Sequence, residues 1–410
     1  MVIGHCIKCL NCDAQFRLRV GVGFDKYQKH YMDCFECFTP IVFSVRADPP
    51  RAWIEAEENC ALVEHSECLV VNFHPNCAFD KNEIHQKLIF PSIELTGLIF
   101  PHMRKPANER ILSASHLFDI PNAPSKWGQL KLIARLISDN NIKKAQKTAE
   151  SYMRARQSEI NIYEENTYYP FTALVYEFMD WLFYPRINDI TSPIIEELNK
   201  LKETGALDGF YSFYKEKLRK ENQQRYINIM SDYLARRDHF GQLLYYARIY
   251  HDNIDDKIIS SKNFDIIRSF YGDAYETLTS NMTIIACINN ILDGRPFDEF
   301  KSMTLNKYIH DVNKEKKTGP FQNNPLFSSF CEDDLESTIR NGSHHASIWH
   351  EGENIIYRSG GTGAQREISY TKYIHLCNKL TIKIAALWVI ELHLQYLFEK
   401  KNEEYPWFKI

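Results

Sequence analysis

Five of the 11 cysteines fall within the first 37 residues, and four of them make two Cys-x-x-Cys steps: Cys9 with Cys12, and Cys34 with Cys37. A step of this length lets two thiolates grip one tetrahedral ion while the amides of the turn support the sulfurs. Two such steps close a four-thiolate shell with no open position, which suits a structural zinc rather than a catalytic one. The steps are 21 residues apart, slightly more than the common spacing for such sites. Cys6 offers a competing step with Cys9. Cys9 with Cys12 is the preferred pair, because Cys12 leads directly into the alternating run that begins at Phe16. Free thiols or a redox pair are the plain alternative. The expectation is one structural Zn2+ per chain on Cys9, Cys12, Cys34 and Cys37. Cys60, Cys68, Cys77, Cys287, Cys331 and Cys377 read as ordinary thiols.

The second group lies near the other end, in Leu335-Glu336-Ser337-Thr338-Ile339-Arg340-Asn341-Gly342-Ser343-His344-His345. An arginine followed closely by two histidines can supply what metal-free acid–base chemistry at a phosphate needs, positive charge and a group that moves protons. Histidine serves as acid or base because it titrates near neutrality. Arginine stays charged and offers a planar fork to phosphate oxygens. On an uninterrupted helix, residues five apart differ by about 140° and residues four apart by about 40°. By that count Arg340 shares a face with His344, not His345, unless the helix ends within the motif; Gly342 weakens it locally. The plain alternative makes Arg340 a surface ion-pair partner of Glu336 at i−4 and His345 a core histidine.

Bulk properties bound the rest. The chain has 410 residues, 44% hydrophobic and 25% charged, with 23 Tyr and 25 Phe, an ordinary globular composition. Its net charge of −4 excludes a whole-chain basic field for nucleic acid, so any such contact must come from local patches. The odd cysteine count, with no basic-then-apolar leader at the start, argues for thiolates in a reducing compartment. The run Ile382 to Phe398 is interrupted by Lys383, Glu391, His393 and Gln395 and reads as a core helix, not a membrane span. A cytoplasmic protein without membrane contact is expected.

The elements that position these groups follow from periodicity. Residues 1–46 are knuckle and strand material. Residues 47–106 continue in strand style (Ala52 to Ala56, Cys60 to Val63, Cys68 to Phe73). From residue 107 the period becomes helical, with runs at 129–137, 142–159 and 168–182 and breaks at Pro185 and Pro193. Further helical runs cover 193–204, 206–219 and 222–250. A long helix is predicted over about 264–292, a shorter one over 299–313, another from Leu326 toward Arg340, and a last one from near Ser369 to about 400. The fold class is α+β, predominantly α, in four parts: 1–46, a small β module over 47–106, a helical middle over 107–257, and a helical bundle over 258–410.

Two resemblances give these parts an expected function. The tokens Cys9-Leu10-Asn11-Cys12-Asp13 and Cys34-Phe35-Glu36-Cys37-Phe38 resemble zinc ribbons, which usually carry Gly where Asp13 and Phe38 stand. The motif Arg340-Asn341-x-x-x-His345 follows a helical stretch. A hairpin-like segment (Ile348 to Tyr357) and a long helix come after it. Over about residues 260–400 this arrangement resembles the HEPN superfamily, whose ribonuclease members carry Arg-x4-6-His with a polar residue after the Arg. The resemblance implies a metal-independent endoribonuclease with Arg340, Asn341 and His345 in its site, His344 being the runner-up. It further implies RNA, tRNA included, as substrate, and a homodimer that faces two copies of the motif across one groove. The implied biology is that of a toxin or anti-phage effector, with a regulatory protein or phage-derived trigger as a further partner. Active members often close the motif with His-x-Tyr; here Ser347 takes the Tyr place.

Weaker signals remain. Gly360-Gly361-Thr362-Gly363 lacks the rest of a phosphate loop and reads as a hairpin tip. Residues 131–156 and 215–237 each hold seven Lys/Arg; they are candidate RNA faces or plain solvated helix faces. Two rival functions stand beside the enzyme. One is a non-catalytic HEPN dimerisation or RNA-binding protein. The other is a zinc-ribbon scaffold that binds nucleic acid or protein.

Overall fold

The computed structural model describes residues 1–64, 67–104, 118–160, 169–332, 335–360 and 363–399. The expected start of the helical middle at 107–117, Tyr168, Gly361, Thr362 and residue 400 lie outside the described residues.

Seven strands build the N-terminal body: β1 (Val2–Cys9), β2 (Gln15–Gly21), β3 (Tyr27–Asp33), β4 (Pro40–Asp48), β5 (Arg51–Glu58), β6 (Cys60–Val63) and β7 (Leu69–Phe73). They form a four-stranded sheet in the order β6-β1-β2-β7 and a three-stranded sheet in the order β3-β4-β5. Alternation decides which faces meet: Phe16, Leu18 and Val20 of β2 and Phe43 and Val45 of β4 point into one core with Ile7, Ile54, Val71 and Phe73. The boundary expected after residue 46 falls inside β4. Strands from both sides of it share sheets, for β5 pairs with β4, β6 with β1, and β7 runs parallel to β2 with Val20 opposite Phe73.

A two-stranded ribbon joins β8 (Phe79–Asp80) to β9 (Lys257–Ile258). The helices are α1 (Pro91–Ile99), α2 (Ala123–Ser138), α3 (Ile142–Ile160), α4 (Phe171–Phe183), α5 (Arg186–Glu203), α6 (Asp208–Phe213), α7 (Arg219–Ala235), α8 (Arg237–Arg248), α9 (Phe264–Ile267), α10 (Phe270–Asn281), α11 (Thr283–Leu292), α12 (Leu305–His310), α13 (Ser337–His344) and α14 (Tyr370–Glu399). Strands β10 (Ile348–Glu351), β11 (Asn354–Arg358) and β12 (Gln365–Ser369) form an antiparallel sheet between α13 and α14. The class is α+β and predominantly helical, as expected.

The axis of the helical part is α14. It is long and apolar enough by composition to cross a membrane, and nearly all of it is buried inside the protein. Helices α4, α5, α7, α8 and α10 pack around it, so one continuous core joins residues on both sides of the expected 257/258 boundary. Among its buried polar groups, Asn378 is met by two neighbouring helices: it accepts from the Tyr233 hydroxyl at 2.7 Å and donates to the Phe240 carbonyl at 3.0 Å.

Three local expectations give way to packing. Pro193 does not break a helix but lies inside α5, whose Ile187, Ile190, Ile194 and Ile195 are buried; tertiary burial outweighs the lost amide bond. The apolar run 264–292 is divided at Ser269 and Met282 into α9, α10 and α11. The helix expected over 299–313 shrinks to α12, started by Thr304, whose side chain accepts from the Lys307 amide.

Candidate metal centre and candidate active site

The metal centre is built from two strand ends. Cys9 is the last residue of β1 and the chain turns through Cys12 into β2; Cys34 follows β3 and Cys37 precedes β4. Both turns close in the same way. The Cys9 amide donates to the Ala14 carbonyl and the Cys34 amide to the Thr39 carbonyl, each at 2.9 Å, while Asp13 and Phe38 donate back to the carbonyls of Cys9 and Cys34. Asp13 and Phe38 hold φ of 61° and 57°, the left-handed region that glycine enters freely. The sequence departs from ribbon custom at these two positions, but the backbone does not.

The four sulfurs lie within 4.8 Å of one another, with Cys9 to Cys37 at 3.7 Å and Cys12 to Cys34 at 3.5 Å. Metal–sulfur bonds of 2.3 Å in a tetrahedron place sulfurs about 3.8 Å apart, so the set can hold one ion. The electrostatics agree. Hydrogen bonds from Thr39 and Asn11 pull the Cys37 thiol down to about 5. The Ala14 amide favours a thiolate at Cys12, but the neighbouring sulfur of Cys37, burial, and Cys34 outweigh it and push that thiol up to about 12. One thiolate forms easily and the next is opposed by crowding; a divalent cation removes the opposition. Cys6 is not a member: it sits within β1, its sulfur 3.9 Å from that of Cys68.

The centre is tied to the helical part by its own strand. The Tyr31 amide of β3 donates to the Ser261 hydroxyl, and the Lys262 amide donates back to the Tyr31 carbonyl, both at 3.0 Å. The Lys262 ammonium pairs with Glu353 at the β10–β11 turn. Three residues after Tyr31 comes Cys34.

At the other site, α13 carries Arg340, Asn341 and His344, and His345 caps it. The helix stops because Ala346 turns left-handed at φ 52° and the Ser347 amide reaches the Gly342 carbonyl at 2.9 Å. Gly342 has a second use. A Cβ there would stand 3.3 Å from the Ser347 carbonyl oxygen and 3.4 Å from that of Arg358, so glycine lets the hairpin close onto the helix. Gly272 does the same for α10, where a Cβ would meet the His344 ring at 3.0 Å.

Arg340 does not pair with Glu336, which instead accepts from Arg366 at 3.0 Å. Its partner is Glu276 on α10: the Arg340 Nε donates to Glu276 Oε1 at 2.6 Å, and its Nη2 reaches the same oxygen. Arg340 Nη1 donates to Asn341 Oδ1 at 2.7 Å. Lys314 Nζ lies 3.7 Å from Glu276 Oε2 and also donates to the Ser280 hydroxyl. Of the five N–H donors of the guanidinium, three are thus committed to orientation and two are left. The structure therefore brings Arg340 and Asn341 into direct contact. His344 and His345 are exposed, and among the described residues their rings form no hydrogen bond. Sequence reasoning missed Glu276. The available signal was the acidic and hydroxyl stripe Asp273, Glu276, Thr277 and Ser280 on a helix whose other face is apolar.

The two basic stretches are partly spent on structure. Arg156 is fully buried and bonded to Glu177 and Glu159, and Arg237 is buried against Asp119 at 2.6 Å. Arg219, Arg225 and Arg236 have acidic partners in Glu399, Glu221 and Asp232. On α2 and α3, Lys131, Lys143, Lys144, Lys147 and Arg154 remain exposed. Gly360 and Gly363 stand between β11 and β12, a hairpin tip as expected.

No family model, no curated protein and no solved structure matches this chain.

Proposed function

We propose that the protein is a metal-independent endoribonuclease of the HEPN type, with Arg340 as the phosphate clamp, His345 as the proton carrier and a zinc ion held structurally by Cys9, Cys12, Cys34 and Cys37. The observation that carries the reading is the Arg340 guanidinium. Glu276 and Asn341 fix it, and two of its donors are left for an anion. A clamp oriented before substrate arrives costs no reorganisation when charge develops on the phosphate. His345 caps α13 with its ring in solvent; the helix runs unbroken through His344, whose ring lies on the α10 face beside which Arg340 is also held, so His344 is the alternative proton carrier. One Arg and one His supply half of what acid, base and clamp require, so the reading includes a homodimer whose two motifs share a groove. The exposed lysines of α2 and α3 offer the local positive face that the overall charge of −4 denies to the chain as a whole. The biological role within this reading is growth arrest or anti-phage defence through cleavage of RNA, tRNA among the candidates, in the cytoplasm and under a regulatory trigger.

A second reading is favoured by one observation. Glu276 neutralises Arg340, and Ser347 stands where a tyrosine often closes the motif; a non-catalytic RNA-binding or dimerisation module needs no more. Incubating purified protein with total RNA in EDTA, beside Arg340→Ala and His345→Ala, separates the two. The enzyme reading expects cleavage by wild type alone. Retained RNA binding without cleavage in all three establishes the second reading.

A further inference from the structure

An open cleft of 780 Å³ lies between the end of α11 and the chain from Phe300 to Pro325, lined by none of the residues of the two groups that the sequence singled out. Its volume is within the range that takes small organic ligands, about 300–1,000 Å³. One wall is aromatic: Phe300 is half-buried and stacks on Tyr308 at 4.9 Å and 19°. Amides form another wall, and buried amides hold them in place. Asn289, 3% exposed, accepts from Asn324 at 2.9 Å and donates to the Pro320 carbonyl at 3.1 Å. Asn290, 1% exposed, accepts from Arg295 at 2.9 Å. The Arg295 charge is offset by Asp293, also at 2.9 Å. Lys301 and Lys316, exposed on different segments of the rim, form no ion pair among the described residues.

A flat aromatic face, amide groups beside it and two ammonium groups outside any ion pair, set against one further lining carboxylate, Asp311, are the three things a nucleotide asks for: stacking of the base, hydrogen bonds to its edge, and a net positive charge for phosphate. The cleft also has a mechanical route to Arg340. Asn313 and Lys316 line it. Lys314 stands between them, at the start of the same tight turn (Lys314–Lys316), and reaches Ser280 and Glu276, the carboxylate that orients Arg340. A ligand that draws Lys316 inward shifts the turn that holds Lys314.

We propose that this cleft binds a free nucleoside phosphate and that its occupancy is passed to the Arg340 helix through Lys314 and Glu276. The binding stands apart from the ribonuclease reading; only the use of the coupling to control cleavage rests on that reading. The test uses full-length protein and no cleavage assay. Equilibrium dialysis with radiolabelled ATP and GTP is expected to show saturable binding near one per chain. Lys301→Glu and Lys316→Glu, both on the surface, should each weaken it about tenfold, and Asn313→Ala by less. Inorganic phosphate should compete only weakly. Hydrogen exchange of residues 337–345 should change on adding ATP in wild type and not in Lys314→Gln. Phosphate competing as well as ATP would reduce the cleft to an anion site and overturn the proposal. So would binding of a short oligoribonucleotide without binding of mononucleotides, or ATP binding that the two lysine variants leave intact. An unchanged exchange pattern in wild type overturns the coupling.

Discussion

Glu391 offers a pH dependence that can be worked through from the structure. It lies in the middle of α14, 0% exposed, and its Oε1 accepts from Asn222 Nδ2 at 2.9 Å and from the Tyr226 hydroxyl at 2.6 Å, both on α7. Burial raises its carboxyl from 4.5 to about 7, against the pull of those hydrogen bonds. Between these two values the folded protein holds a proton that the unfolded chain has released. Stability therefore falls as pH rises through this window, and the loss is complete above the folded value. At about 1.4 kcal/mol per pH unit, the cost above pH 7 is on the order of 3 kcal/mol. Glu391→Gln keeps an oxygen for Asn222 and Tyr226 and never ionises. Urea denaturation of both proteins from pH 4.5 to 8.5 is expected to give near-equal stability at the acid end and an advantage for the variant that grows to about 3 kcal/mol at pH 8. Buried histidines such as His393, which burial pulls down to about 4, titrate alike in both proteins and cancel. A difference that stays constant with pH, or a variant less stable at pH 8, would refute the argument that Glu391 is buried without adequate compensation.

Other expectations follow from the two sites. Elemental analysis should find about one zinc per chain, and Cys12→Ser should abolish it; because β3 pairs with Ser261 and Lys262, metal loss should also raise amide exchange at 261–264, and an unchanged pattern there would show that the strand contact is independent of the metal. Phe38→Gly should stabilise the N-terminal body by up to about 1 kcal/mol, since only the left-handed strain is relieved; a loss of stability in thermal melts would mean that the exposed ring contributes more than the strain costs. Glu276→Gln should leave the fold intact by circular dichroism and lower RNA cleavage at least about tenfold, because a neutral amide holds the guanidinium less firmly. Full activity in that variant would remove Glu276 from the positioning of Arg340.

What the sequence made legible was local. Two Cys-x-x-Cys steps fix their own turns, so the four cysteines that come together could be named from spacing, and the glycine-less positions Asp13 and Phe38 adopted the required backbone anyway. The last helix announced itself because its long apolar run is interrupted by Lys383, Glu391, His393 and Gln395, a pattern that suits a core helix better than a membrane span. Non-local pairings were not legible. The parallel pairing of β2 with β7 joins residues 53 apart, Phe16 opposite Leu69, and nothing in either strand specifies the other. Of the three helices that divide 264–292, α10 is the one that packs extensively on α14, a non-local contact that the period of the run does not reveal. Glu276 was invisible for the same reason: its partner Arg340 lies 64 residues away, whereas Glu336 sat at the textual distance where helical ion pairs form.

The central claim is that Arg340 and His345 cleave RNA by using the substrate's own 2′-hydroxyl. It is tested most directly with an end-labelled oligoribonucleotide that the protein cuts, prepared also with a single 2′-deoxyribose at the cut site, each incubated in EDTA with wild type, Arg340→Ala and His345→Ala. The account expects wild type to cut the all-ribose strand to a 2′,3′-cyclic phosphate and a 5′-hydroxyl and to leave the deoxy-substituted strand whole. Arg340→Ala should lose about two to three orders of magnitude in rate and His345→Ala about two to four. Cleavage of the deoxy-substituted strand, or wild-type rates in both alanine variants, would contradict it.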